Sequence, residues 1–170
     1  MPETPLTDRA TWPDFSAMKS RLQRAMDRLK DHDKYLLQHG HEQAITHRLA
    51  MYLQDEFPTW HVDVEFNRNL GERKRLSYAR DGEPEAHQHD IRPDIIVHRR
   101  GTVQHLLIVE AKKHRENCVD AEAKLRAATV PTDSLHYEFG ILVVLPAPDA
   151  DERLRWFQGG QLVENTTRAQ

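Results

Sequence analysis

Two short apolar runs, Ile95-Ile96-Val97 and Leu106-Leu107-Ile108-Val109, are bounded at one shared end by ionisable residues. Asp94 precedes the first run, and Glu110-Ala111-Lys112 completes the second. Short continuous apolar runs flanked by turn residues read as strands buried on both faces. Between them lies Arg99-Arg100-Gly101-Thr102, where glycine supplies the freedom that a tight reversal needs. A β-hairpin follows, carrying two carboxylates and a lysine at its open end. Such groups are costly in a fold unless something holds them, and a divalent cation with a phosphate is the commonest partner.

If the hairpin folds symmetrically about Thr102, Asp94 lies opposite Glu110 and Arg92 opposite Lys112. Opposite residues of an antiparallel pair share a face, as do residues two apart on one strand. Asp94, Glu110 and Lys112 then project together while Ala111 points the other way. A one-residue slip separates Asp94 from this group, and Gly101 is an equally good turn centre, so register stays open. The bland alternative makes Glu110 and Lys112 a surface pair on an edge strand, worth roughly 0–1 kcal/mol, with Asp94 merely opening a strand after Pro93. Against it stands the unbroken apolar run before Glu110, which marks a strand buried on both sides.

The remaining elements follow from periodicity. Residues 1–12 are expected to be flexible. Pro13 and Asp14 open a helix to about Lys30, with Phe15, Met18, Leu22, Met26 and Leu29 at three- and four-residue steps. A second helix covers about His41 to Glu56 and is stopped by Pro58. Trp60 to Asn67 alternates, with Val62, Val64 and Phe66 on the inward side. Residues 68–90 read as a polar insertion. After the hairpin come a helix over Val119–Thr129, an apolar strand Tyr137–Leu145, a short helix over Asp149–Phe157, and a tail from Gly159-Gly160 through 170. The reading is thus one α/β domain over 13–158, with a crossover helix joining parallel strands.

Pro93-Asp94, a short gap, and Glu110-Ala111-Lys112 ending an apolar strand resemble the PD-(D/E)xK superfamily, the restriction-endonuclease-like nucleases. The resemblance spans about residues 41–145. It implies an αβββαβ core, here with an extra N-terminal helix, in which a central mixed sheet is flanked by helices. It further implies a metal-dependent phosphodiesterase, with DNA the expected substrate. Mg²⁺ or Mn²⁺ would be held by Asp94, Glu110 and the Ala111 backbone carbonyl, and Lys112 would position water or offset developing charge. Hard oxygen donors suit those ions. An acidic residue from the first core helix often joins such a site, and Glu42 matches it. Glu42 shares a helical face with Ile45, Leu49 and Tyr52. Its alternative role is a first-turn acid favoured by the helix dipole.

Charge distribution adds candidate phosphate contacts. The net charge is −3, unlike a general nucleic-acid coat protein. Cations nevertheless cluster at Arg68, Arg73, Lys74 and Arg75, at Arg99 and Arg100 in the turn, and at Lys113 after the motif. Each could neutralise a phosphate, although the Arg73–Arg75 run alone reads equally well as a solvated loop. Lys124 could touch substrate, but a local pair with Asp120 is the stronger reading. Among the 11 histidines, His87 and His89 with Asp90 would share a strand's metal-binding face only if extended, and a loop is the stronger reading. His98 and His105 are expected at the surface.

No apolar run is long enough to span a bilayer, and the N-terminus lacks a basic region followed by an apolar core. The single cysteine, Cys118, excludes an intrachain disulfide and fits a reducing cytoplasm. A homodimer or a partner protein is expected, because one domain that cuts both strands needs two sites. Two alternatives remain: a non-catalytic nucleic-acid-binding or assembly module of the same fold, and a hydrolase for another phosphoester.

Overall fold

The computed structural model describes residues 9–131 and 135–167. Residues 1–8, most of the expected flexible start, lie outside them. Arg9–Thr11 form a single 3-10 turn rather than a loose end, and Trp12 packs edge-on against Trp60 at 5.1 Å.

Helix α1 (Phe15–His32) begins where Asp14 accepts the Ala17 N–H at 2.8 Å, a side-chain N-cap. Its apolar stripe, Met18, Leu22, Met26 and Leu29, is fully buried. A short helix α2 (Lys34–His39), absent from the sequence reading, leads to α3 (Glu42–Glu56). Strand β1 (His61–Val64) follows. Two ribbons come next, β2 (Arg68–Asn69) with β3 (Glu72–Arg73), and β4 (Arg75–Tyr78) with β5 (His87–Asp90). The hairpin is β6 (Ile95–His98) and β7 (His105–Lys112). Helix α4 (Val119–Ala128), β8 (Tyr137–Val144), β9 (Arg153–Gln158) and β10 (Gln161–Thr167) complete the elements of the described residues.

The central sheet has the order β1-β6-β7-β8-β9-β10. Only β7 and β8 run parallel, joined through α4 as expected, so the sheet is mixed. One face carries α1 and α3 over Ile95, Val97, Leu107, Val109, Ile141 and Trp156. The other carries α4 and the β4–β5 ribbon over Ile96, Ile108, Leu142 and Phe157. Gly140 sets the depth at which α4 lies: a Cβ there would come within 3.1 Å of Thr129 Cγ2 and 3.3 Å of Leu125 Cδ2. No helix among the described residues is long and apolar enough to cross a membrane.

Four expectations change. The polar insertion is a structured cover, because Leu76 and Tyr78 alternate with polar residues and bury against α4's side of the sheet. The expected helix over 149–157 is strand β9, where Leu154 and Trp156 bury at a period of two. Gly159 and Gly160, both at positive φ, make a two-residue turn into β10, so the sheet replaces most of the expected tail. Finally, Val64, expected on the inward side, is exposed on β1, which lies at the edge of the sheet.

Candidate active site

The hairpin register decides which side chains meet. Ile95 pairs with Val109, Ile96 with Ile108 and Val97 with Leu107. Continued by one residue, Asp94 falls opposite Glu110, the arrangement expected for a turn centred on Thr102. Nearer the turn the register shifts, with His98 pairing His105 across a bulge. Leu106 and Leu107 consequently both bury in the α1–α3 core.

Asp94 and Glu110 share the face of Ile96 and Ile108, while Ala111 is fully buried. The Ala111 N–H donates to Asp94 Oδ2 at 2.8 Å, tying the first acid across the hairpin. From the first turn of α3, Glu42 Oε2 accepts the Lys113 N–H at 3.2 Å, and Lys113 Nζ donates to the Gly40 carbonyl at 3.2 Å. Lys112 is half-buried, and its charge acts on Glu42, Asp94 and Glu110. The three expected carboxylates and the expected lysine therefore gather at one end of the sheet. An 890 Å³ cleft beside them is lined by Glu42, Asp94, Glu65, Lys113 and Glu116, among others; Glu110 and Lys112 are not in its lining.

Burial dominates the electrostatics. It pushes Glu110, only 4% exposed, up to about 7 against the pull of Lys124. It also raises Asp94, opposed by the Ala111 N–H, and Glu42, opposed by Lys112. Lys124 Nζ lies 3.0 Å from Glu110 Oε2. Burial alone would lower this ammonium, but the charge and hydrogen bond of Glu110 carry it above its usual value. Glu110 Oε1 is buried with no hydrogen-bond partner.

Among the described residues, no three His, Cys, Asp or Glu side chains are grouped to hold a metal ion. A hard divalent ion needs fewer, since Mg²⁺ is commonly held by one or two carboxylates plus waters and substrate oxygens. Asp94 and Glu110 fit that requirement, and the unpartnered Glu110 Oε1 is an oxygen with capacity to spare.

The expected phosphate contacts fare unevenly. Arg68 is exposed, and Arg73 and Arg75 are exposed but paired with Asp90 at 3.0 and 2.8 Å. Lys74 is overturned as a surface contact: it is 1% exposed, its amine above the rings of Phe66 and Tyr137. Arg99 and Arg100 lie at the turn, five residues or roughly 16 Å of strand from Asp94, away from the site. Arg99 stacks on Trp60, and Arg100 forms an ion pair with Asp63. Lys113 stays beside the cleft.

His98 and His105 are also corrected, both being buried in the sheet. His98 Nε2 is 2.7 Å from Asp63 Oδ2, while both ring nitrogens of His105 lack a partner. Residues 87–90 form a strand after all, but His89 is taken up by the Tyr78 carbonyl and Glu83. Sequence reasoning misplaced Lys124, which reaches Glu110, whereas Asp120 accepts the Asp81 N–H. Its heptad-like position beside Ala121, Leu125 and Ala128, all buried, was the available signal that it faces the sheet.

No family profile, curated protein or solved structure matches this chain.

Proposed function

We propose that this chain is a metal-dependent phosphodiesterase, a nuclease of the restriction-endonuclease-like type whose substrate is DNA. The observation that carries the reading is the convergence of Asp94, Glu110 and Lys112 on one face of β6–β7, with Glu42 brought in from α3. The succession α3-β1-β6-β7-α4-β8 also follows the αβββαβ order that the motif resemblance implies, with the two ribbons inserted after β1.

In-line attack on a phosphodiester builds negative charge on the phosphoryl oxygens and on the leaving 3′ oxygen. Asp94, Glu110 and the Ala111 carbonyl would hold Mg²⁺ or Mn²⁺, which supplies charge neutralisation and a more acidic water. Lys112 orients the attacking water and offsets the developing charge, a role suited to a preorganised cation in a partly dry site. Glu42, fixed by the Lys113 N–H, extends the acidic wall toward the cleft. Arg68 and Lys113 supply exposed positive charge for phosphates flanking the reacting one.

One cleavage assay tests this. Duplex, single-stranded and branched DNA and RNA are incubated with Mg²⁺, Mn²⁺ or EDTA, with wild type beside Lys112→Ala. Metal-dependent cleavage lost in the variant supports the reading; cleavage that survives in EDTA or in Lys112→Ala overturns it. A second reading, a non-catalytic nucleic-acid-binding module, draws on the Lys124–Glu110 pair, which already satisfies one acid internally. Tight DNA binding without turnover in either metal would favour it.

A further inference from the structure

We propose that Lys124 is a built-in counter-ion for Glu110 that a divalent cation must displace, so that the released ammonium becomes a phosphate contact. This rests on the reading of Asp94 and Glu110 as ion ligands.

The geometry is specific. Lys124 Nζ sits 3.0 Å from Glu110 Oε2, with the two side chains 17% and 5% exposed. Its charge acts on Asp94 as well as Glu110, so the ammonium stands in the field shared by both acids. A cation held by Asp94 and the open Oε1 of Glu110 would share that carboxylate with the ammonium on Oε2. A divalent ion and an ammonium on the same carboxylate repel strongly where little water screens them. One must yield, and the lysine is the mobile partner: four rotatable methylenes carry its amine, while Leu125 and Ala128 anchor the helix behind it. Glu110, by contrast, is held in the ladder of β7 with β8, opposite Leu142.

Displacement has a chemical consequence. The freed ammonium keeps its three donors and stays tethered within a side chain's length of the ion. An anionic phosphate oxygen is the natural acceptor there, so ion binding and substrate binding favour each other. Lys124 is then a positioning residue in the absence of substrate and a phosphate contact in its presence.

Mn²⁺ binding to the full chain, measured by the electron paramagnetic resonance of free Mn²⁺, tests this without reference to activity. Wild type is compared with Lys124→Met, Lys124→Gln, Lys124→Arg and Glu110→Gln, each checked for folding by circular dichroism. The expected result is Mn²⁺ bound about tenfold more tightly by Lys124→Met, wild-type affinity in Lys124→Arg, and loss of binding in Glu110→Gln. A short duplex should strengthen Mn²⁺ binding in wild type and do so less in Lys124→Met. If Lys124→Met does not fold without the pair, Lys124→Gln carries the comparison. Equal or weaker Mn²⁺ binding by a folded Lys124 variant, with binding still lost in Glu110→Gln, overturns the displacement and leaves the ion site standing. Absence of Mn²⁺ binding in every protein with Glu110 intact overturns both.

Discussion

Asp94 Oδ2 accepts the backbone N–H of Ala111, so the first acid of the site is tied to the residue immediately after the second. The same hydrogen bond that positions the carboxylate also closes the open end of the hairpin. A substitution at Asp94 can thus act on chemistry and on stability at once.

The two effects separate by choice of variant. Asp94→Asn keeps an oxygen acceptor for Ala111 and should lower metal-dependent cleavage by about 10²-fold or more while leaving the melting temperature nearly unchanged. Asp94→Ala should lose the same activity and also about 1–3 kcal/mol of stability, because a buried N–H is left unsatisfied. Cleavage assays beside denaturant titrations check both. Equal activity in Asp94→Asn and wild type would remove Asp94 from the mechanism.

Lys74 gives a prediction about stability alone. Burial lowers its amine from 10.5 to about 7, with Asp63 opposing. Between those values the unfolded chain binds a proton that the fold sheds, so this residue makes stability rise with pH across that window and imposes its full penalty below it. Lys74→Met should therefore stabilise the protein by about 1–4 kcal/mol at pH 6 and progressively less toward pH 10. Thermal melts at three pH values measure this, and a destabilised variant at pH 6 would contradict it.

Asp63 behaves in the opposite sense. The Arg100 hydrogen bond, against the opposing effect of burial and with help from His98, lowers its carboxyl to about 2. Its contribution is present above the unfolded carboxylate range and is lost as pH falls toward 2. Asp63→Asn should remove roughly 1 kcal/mol at pH 7, after allowance for solvent screening, and flatten the acid limb of the stability curve. Denaturant titration from pH 7 to 3 shows whether the two curves converge in acid.

Gly140 links packing to the site. A Cβ there would crowd Thr129 Cγ2 and Leu125 Cδ2, which lie on or next to α4, the helix that carries Lys124. Gly140→Val should cost about 1–3 kcal/mol and weaken the Lys124–Glu110 pair. Denaturation midpoints, together with the Mn²⁺ titration, report the two consequences.

Much of this was legible in the sequence, for reasons particular residues make plain. The strand period of two placed Glu110 and Lys112 together, Asp94 joined them only in the Thr102-centred of two possible registers, and the helical period placed Glu42 on the face of Ile45 and Leu49. Lys124 escaped because its partner belongs to a different element, while Asp120, four residues away, offered a local alternative. Lys74 escaped because a cation among arginines resembles solvent-facing charge, and nothing local signals the aromatic rings beneath it. Arg153–Gln158 was mistaken for helix because its alternation is short and its meaning depends on the Gly159-Gly160 turn that follows.

The extra residue in β7 beside the turn has one more implication. Because pairing on its far side is already offset, lengthening or trimming the 99–104 connection need not be transmitted to the acids at the opposite end. The tip of the hairpin can serve as a graft point for labels or recognition peptides, with Asp94 and Glu110 at the other end left in their original alignment.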